Sequence, residues 1–241
     1  MYNISSAGNV SPAIAFPPVL PVRGKMPPRH SLLEPRAQLP FRADQSQSVF
    51  RITEGCIALY RLIGEGRRQI FDILGPERLI SPVIMRQFQC AAVALTYTRL
   101  EESQIEPEDL QSTHDAQIQV MLQRSLSHAA LLGRKRAGER VASALIDLSG
   151  QFARSRQTVR RPHATFTLYL TRNDLADWLG LTLETVSRCL NGLKRGGLID
   201  FRSPEVITIK DQDALDLIAS GMGPADDGPY SFSAARKKQG A

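Results

Sequence analysis

Apolar residues along the chain change period several times, and each change marks a different kind of element. Residues 1–45 carry scattered apolar positions with no period and hold most of the prolines, among them Pro17-Pro18, Pro21 and Pro27-Pro28. X-Pro steps disfavour helix, so this stretch is expected to be a flexible arm. From residue 46 the pattern tightens. Val49-Phe50-Arg51-Ile52, Cys56 to Ile63, Arg67 to Leu74 and Ala91 to Tyr97 read as short strands, with Glu65-Gly66 and Gly75-Pro76 as turns. Residues 46–107 are therefore expected to fold as a small β-roll.

No proline or glycine interrupts Glu108 to Leu132, which reads as one long helix. Ile118, Leu122, Ser125, Ala129 and Leu132 recur there at four- and three-residue steps. That is the spacing of a seam that packs on a partner helix, so 108–132 is expected to dimerise the protein. The same stripe would also suit packing within one monomer. Gly133 and Arg134-Lys135-Arg136 mark a junction, after which Val141, Leu145 and Leu148 resume a helical period. Residues 149–164 are polar and basic and read as a loop. Phe166, Leu168 and Leu170 then alternate as a short strand.

Residues 133–220 are expected to form a winged helix-turn-helix. Thr171 stands three residues before Asp174, as in an N-cap with a capping partner. Leu175, Ala176 and Leu179 give a short helix its buried side, Gly180 ends it, and Thr182 caps the next. In that second helix Val186, Leu190 and Leu193 share the apolar face, leaving Glu184, Thr185, Ser187 and Arg188 toward the other. Two short helices about a Gly-Leu turn have the spacing of a DNA-reading unit whose second helix enters the major groove. Glu184 suits cytosine N4, Arg188 suits guanine O6 and N7, and Ser187 suits a base edge or a thymine methyl. Thr182, Thr185, Arg172 and Lys194 suit phosphate. Glu184 and Arg188 also stand at i and i+4, the spacing of an ordinary surface ion pair. After Gly196-Gly197, the segments Leu198 to Phe201 and Val206 to Ile209 read as a wing, with Arg202 as its phosphate contact. A last helix follows, and 221–241 reads as a disordered tail.

Composition adds direction. Lys and Arg number 30 against 24 Asp and Glu, a formal charge of +6, which suits an anionic partner without choosing one. The three cysteines, Cys56, Cys90 and Cys189, are too few and too far apart for a disulfide framework or a clustered metal site. No metal or other cofactor is expected. Neither a secretory signal nor a membrane-spanning run is apparent, so a cytoplasmic protein without membrane contact is expected. No Ser-His-Asp arrangement, metal spacing or phosphate loop points to an enzyme. Cys189 follows Arg188 directly and is a candidate redox group, because oxidation there would add bulk beside the reading face; a plain helix cysteine is the alternative.

Thr171 to Leu198 resembles the DNA-binding region of the Crp/Fnr superfamily of bacterial transcription regulators, in its FixK-like branch. The string Leu179-Gly180-Leu181-Thr182-Leu183-Glu184-Thr185-Val186-Ser187-Arg188 carries the resemblance, with the family pattern Glu-x-x-Ser-Arg on Glu184, Ser187 and Arg188. It extends through Leu132 to Ala142 and, more weakly, to Gly55 to Arg61 and Gly66 to Ile70. The resemblance implies an α+β chain: a small, truncated cyclic-nucleotide-binding-like sensor roll, a long dimerisation helix and a C-terminal winged helix-turn-helix. It implies a homodimer on double-stranded DNA, reading a palindrome with TTGAT-like half-sites, and activation through RNA polymerase. An effector-responsive repressor of the same fold is the alternative. Two family features are missing. Leu74-Gly75-Pro76-Glu77-Arg78-Leu79 departs from the cyclic-nucleotide cassette, and Arg86 has no Ser or Thr beside it. No cysteine precedes Cys56 to supply an N-terminal iron-sulfur cluster. His30 and His114 would be available to a haem, although each reads more readily as an ordinary surface residue.

Overall fold

Cys56-Ile57-Ala58-Leu59-Tyr60 is buried at every position, without the alternation of a half-exposed strand. A strand of this kind must be covered on both faces, and the fold supplies both covers. The computed structural model describes residues 27–41, 45–153, 164–222 and 232, the side chains of residues 65 and 202 excepted. Its N-terminal part is a roll of two antiparallel sheets built from β1 (Arg29–Leu33), β2 (Ser48–Glu54), β3 (Ile57–Leu62), β4 (Arg68–Leu74), β5 (Leu79–Ile80), α1 (Pro82–Gln87), β6 (Ala91–Ala94) and β7 (Thr98–Gln104). One sheet has the order β1-β7-β2-β5, the other β4-β3-β6. Between the sheets lie Phe50, Ile52, Ile57, Leu59, Leu74 and Leu100. On the outer side of β3 and β4, Ala58, Tyr60, Ile70 and Ile73 join a second core that continues into the C-terminal domain. Gly55 turns β2 into β3 at φ +98°, where any Cβ would overlap Thr98 and the Tyr97 carbonyl.

The expected flexible arm is corrected for the part that is described. Arg29 to Leu33 pair with β7 from Glu102 to Thr98, Gln38 bridges Val93, and Leu39 is buried. Proline-rich sequence disfavours helix but not an extended edge strand, and Leu33 and Leu39 supply apolar area to hold it. Residues 1–26 and 42–44 of that arm lie outside the described residues. The roll also holds β1, β5, β7 and the short α1, which no local pattern announced.

Helix α2 (Pro107–Arg134) matches the long helix read from the sequence, and α3 (Ala137–Phe152) follows after a two-residue break. Arg124 of α2 is 5% exposed and fastens the helix: Nε donates to Asp72 of β4 at 2.6 Å, and both Nη atoms donate to Asp147 of α3 at 3.1 Å. Beyond α3 come β8 (Ala164–Thr167), α4 (Arg172–Leu179), α5 (Leu183–Arg195), β9 (Ile199–Ser203), β10 (Val206–Ile209) and α6 (Gln212–Ala219). The three strands make one sheet in the order β8-β10-β9. The basic loop is shorter than expected because α3 runs on to Phe152; residues 154–163 lie outside the described residues. Among the described residues of the tail read as disordered, Phe232 is packed: it lies against the second core and beside Gly138 and Gly196. A Cβ on either glycine would overlap it. Residues 223–231 and 233–241 lie outside the described residues.

Removing one partner of a buried ion pair strands the other charge. Arg124→Met is therefore expected to destabilise the fold by about 3–5 kcal/mol, read as a lower urea midpoint. An unchanged midpoint would mean that Asp72 and Asp147 find other donors.

Candidate nucleic-acid interface

Helix α4 starts where the sequence places it. The Thr171 hydroxyl accepts from the Asp174 amide at 3.1 Å, while the Asp174 carboxylate accepts from the Thr171 amide at 2.9 Å and from its hydroxyl at 2.7 Å. Gly180 ends the helix in the left-handed conformation, φ +60°, and the Leu181 amide returns to the Ala176 carbonyl. Thr182 then caps α5 by accepting from the Thr185 amide at 3.1 Å, and the two hydroxyls bond to each other at 2.9 Å.

Val186, Cys189, Leu190 and Leu193 of α5 are buried. The opposite side carries Glu184 and Arg188, 71% and 58% exposed, with Ser187 half-buried between them and the exposed Leu183 at the first turn. Arg188 donates to Glu184 at 2.5 Å. The i, i+4 ion pair and the candidate base-reading pair are therefore the same two side chains. The pair holds the planar guanidinium on the exposed side of the helix.

The phosphate candidates divide. The Thr182 and Thr185 hydroxyls lie at the positive end of α5. Arg172 is half-buried, with its guanidinium carbon 5.8 Å from the centre of the Phe201 ring; burial pulls its pKa down. Lys194 is held by the wing. Its ammonium donates to the Phe201 carbonyl at 2.9 Å, pairs with Asp200 at 3.0 Å and stands 4.2 Å from the Phe201 ring centre. These contacts join α5 to β9, and the ammonium holds the Asp200 carboxyl below its ordinary range. Arg202 belongs to β9, but its side chain lies outside the description.

The dimer candidates also divide. Leu122 is 58% exposed, and Ser125 and Ala129 are exposed beside it. Ile118 is half-buried against the core of the roll, and Leu132 is half-buried beside Gly180. Leu126, 63% exposed, extends the open stripe. It stands four residues after Leu122, so helical spacing was signal enough to find it.

Cys189 requires a correction. It faces the core and not the DNA side, is fully buried, and has its thiol pKa pushed up to about 11 by burial. A protonated thiol without access to solvent is a poor redox group. His114 Nε2 lies 3.1 Å from the Ser81 hydroxyl, and burial lowers its pKa; His30 is exposed on β1. Among the described residues no group of His, Cys, Asp or Glu has the arrangement of a metal site, and no helix is long and apolar enough to cross a membrane.

Residues 139–218 match the family model of the Crp-like helix-turn-helix domain. The nitrogen fixation regulation protein FixK of Azorhizobium caulinodans is 34% identical over 73% of this chain and 73% of its own. The transcriptional activator protein Anr of Pseudomonas aeruginosa is 29% identical over 76% of each chain. Among solved structures, FixK2 of Bradyrhizobium japonicum superposes with a TM-score of 0.67 at 25% identity, covering 80% of this chain and 98% of that one. A Crp/Fnr-family regulator of Thermus thermophilus shares the fold, with a TM-score of 0.62 at 21% identity over 81% of this chain and all of that one.

Burial makes a simple prediction for the thiols. Alkylation of the native protein should label the half-exposed Cys90 first and leave Cys189 unlabelled until the chain unfolds, read by mass spectrometry of digested samples. Native labelling of Cys189 would contradict its place in the core.

Proposed function

The chain belongs to the Crp/Fnr superfamily of bacterial transcription regulators, in its FixK-like branch, and we propose that it activates transcription from a palindromic DNA site bound as a homodimer. The family is one of DNA-binding regulators, not enzymes. The observation that carries the reading is the division of α5 into a buried apolar stripe and an exposed face bearing Glu184, Ser187 and Arg188. In the major groove Arg188 reads guanine through O6 and N7, Glu184 accepts from cytosine N4, and Ser187 meets a base edge or a thymine methyl. Half-sites resembling TTGAT suit this set. Arg172, Thr182, Thr185 and the wing residue Arg202 supply phosphate contacts that set register. Lys194 joins them if a phosphate replaces the Asp200 carboxylate as its partner.

A second copy covers the open stripe of α2. Leu122, Ser125, Leu126 and Ala129 form its centre, flanked by Ile118 and Leu132, and small residues between leucines allow close approach. A two-fold axis along this seam sets two α5 helices against the two half-sites of a palindrome. RNA polymerase is the proposed protein partner on DNA and the cytoplasm the proposed compartment. Relatives named as nitrogen fixation regulators support a place in the control of such genes.

Arg188→Ala should weaken binding to the preferred site by about 1–3 kcal/mol and relax preference at one symmetric base pair. Fluorescence anisotropy on the site and its single-base variants reads both effects. Equal loss on scrambled DNA would reassign Arg188 to phosphate. Leu122→Glu with Leu126→Glu places like charges across the seam and should give a monomer in native mass spectrometry. A persistent dimer would move the interface elsewhere.

A further inference from the structure

Three parts of the chain meet at one carboxylate. Asp174, in the first turn of α4, is 1% exposed. Arg36, in the turn after β1, donates to both of its oxygens, at 2.8 and 2.9 Å. Arg68, at the start of β4, donates to it at 2.7 Å and reaches Asp177, farther along α4, at 2.8 Å. Beside them Gln69 donates to the Asp177 carbonyl at 2.7 Å. With the Thr171 amide and hydroxyl also donating, the buried charge is amply compensated, and the Asp174 carboxyl is held well below the ordinary carboxylate range.

The connection reaches further. β4 carries Arg68 and, four residues on, Asp72, the partner of Arg124 in α2. One strand therefore ties the proposed dimer helix to the first helix of the DNA-reading unit through charged contacts at both ends. Arg36 pays for its place in backbone strain: its φ is +70°, a left-handed conformation uncommon for a residue with a side chain. The Arg36 amide is meanwhile bonded to the Ala94 carbonyl at 2.8 Å. Glu184 and Arg188 remain exposed throughout, so this cluster orients the reading helix without covering it.

We propose that Arg36 and Arg68 are positioning residues for DNA reading, forming an ionic latch that fixes α4, and with it α5, at one orientation to the roll and α2. The proposal rests on the dimeric DNA-binding reading above. A dimer must hold its two reading helices about 34–36 Å apart to engage successive major grooves on one face of DNA. The latch sets that separation, with no contact to DNA of its own and no ligand required.

The test uses the full chain with Arg36→Ala, with Arg36→Ala and Arg68→Ala together, and with lysine at both positions. Affinity is measured for a single half-site duplex and for palindromes whose half-sites are moved apart one base pair at a time. Loss of a fixed orientation lowers the effective concentration of the second half-site, so the double alanine variant should bind the best palindrome about tenfold more weakly. Its half-site affinity should stay near wild type, and its preference among spacings should flatten. Arg36→Ala leaves Asp174 its bonds from Arg68 and Thr171, so it should do the same to a smaller degree with the unfolding midpoint little changed. Lysine keeps the charge but not the fork and should recover only part of the spacing preference. Unchanged spacing preference would overturn the latch. So would tighter palindrome binding, which would make the contact inhibitory, or equal loss on half-site and palindrome. A wild-type protein without preference for any palindrome would instead contradict the proposed function.

Discussion

Burying the apolar stripe of α5 determines what the rest of that helix can do. Val186, Cys189, Leu190 and Leu193 lock its rotation in a core shared with α3, α4 and the wing. A helix anchored on one face has no freedom to turn the other away, so Glu184, Ser187 and Arg188 are presented to solvent as a fixed set. The caps serve the same end. Thr171 and Thr182 start the two helices, and Gly180 turns the chain between them in a conformation that favours glycine.

The same core crosses the boundary between the two halves of the molecule. Ala58, Tyr60, Ile70 and Ile73 of the roll lie in one apolar cluster with Leu145, Leu175 and Leu179. Apolar packing is non-directional, and the charged contacts here are directional. Arg124 lies between Asp72 and Asp147, and Asp174 between Arg36 and Arg68. Buried ion pairs of this kind add little net stability over an apolar substitute, but breaking one by removing a partner is costly.

Local signals made the reading unit legible. Caps, a turn glycine and an apolar period of three and four residues all lie within about 25 neighbouring positions, and the long helix needed only the absence of proline and glycine. Long-range partners stayed hidden. β1 is held by pairing with β7, and β5 has only two residues, Leu79 and Ile80. Arg36 and Asp174 are 138 positions apart, a separation at which no spacing rule operates. Cys189 shows a different failure. Its proximity to Arg188 suggested the reading face, yet successive helical residues diverge by about 100°. Its three-residue step from Val186 and four-residue step to Leu193 placed it with the core.

The proposed reading of sequence by α5 rests on Glu184, Ser187 and Arg188. Selection of bound duplexes from a fully random DNA pool, followed by sequencing, tests it most directly. A two-fold symmetric motif is expected, with TTGAT-like half-sites separated so that both fall on one face of the duplex. Recovery of sequences with no common motif, or of a motif without two-fold symmetry, would contradict it.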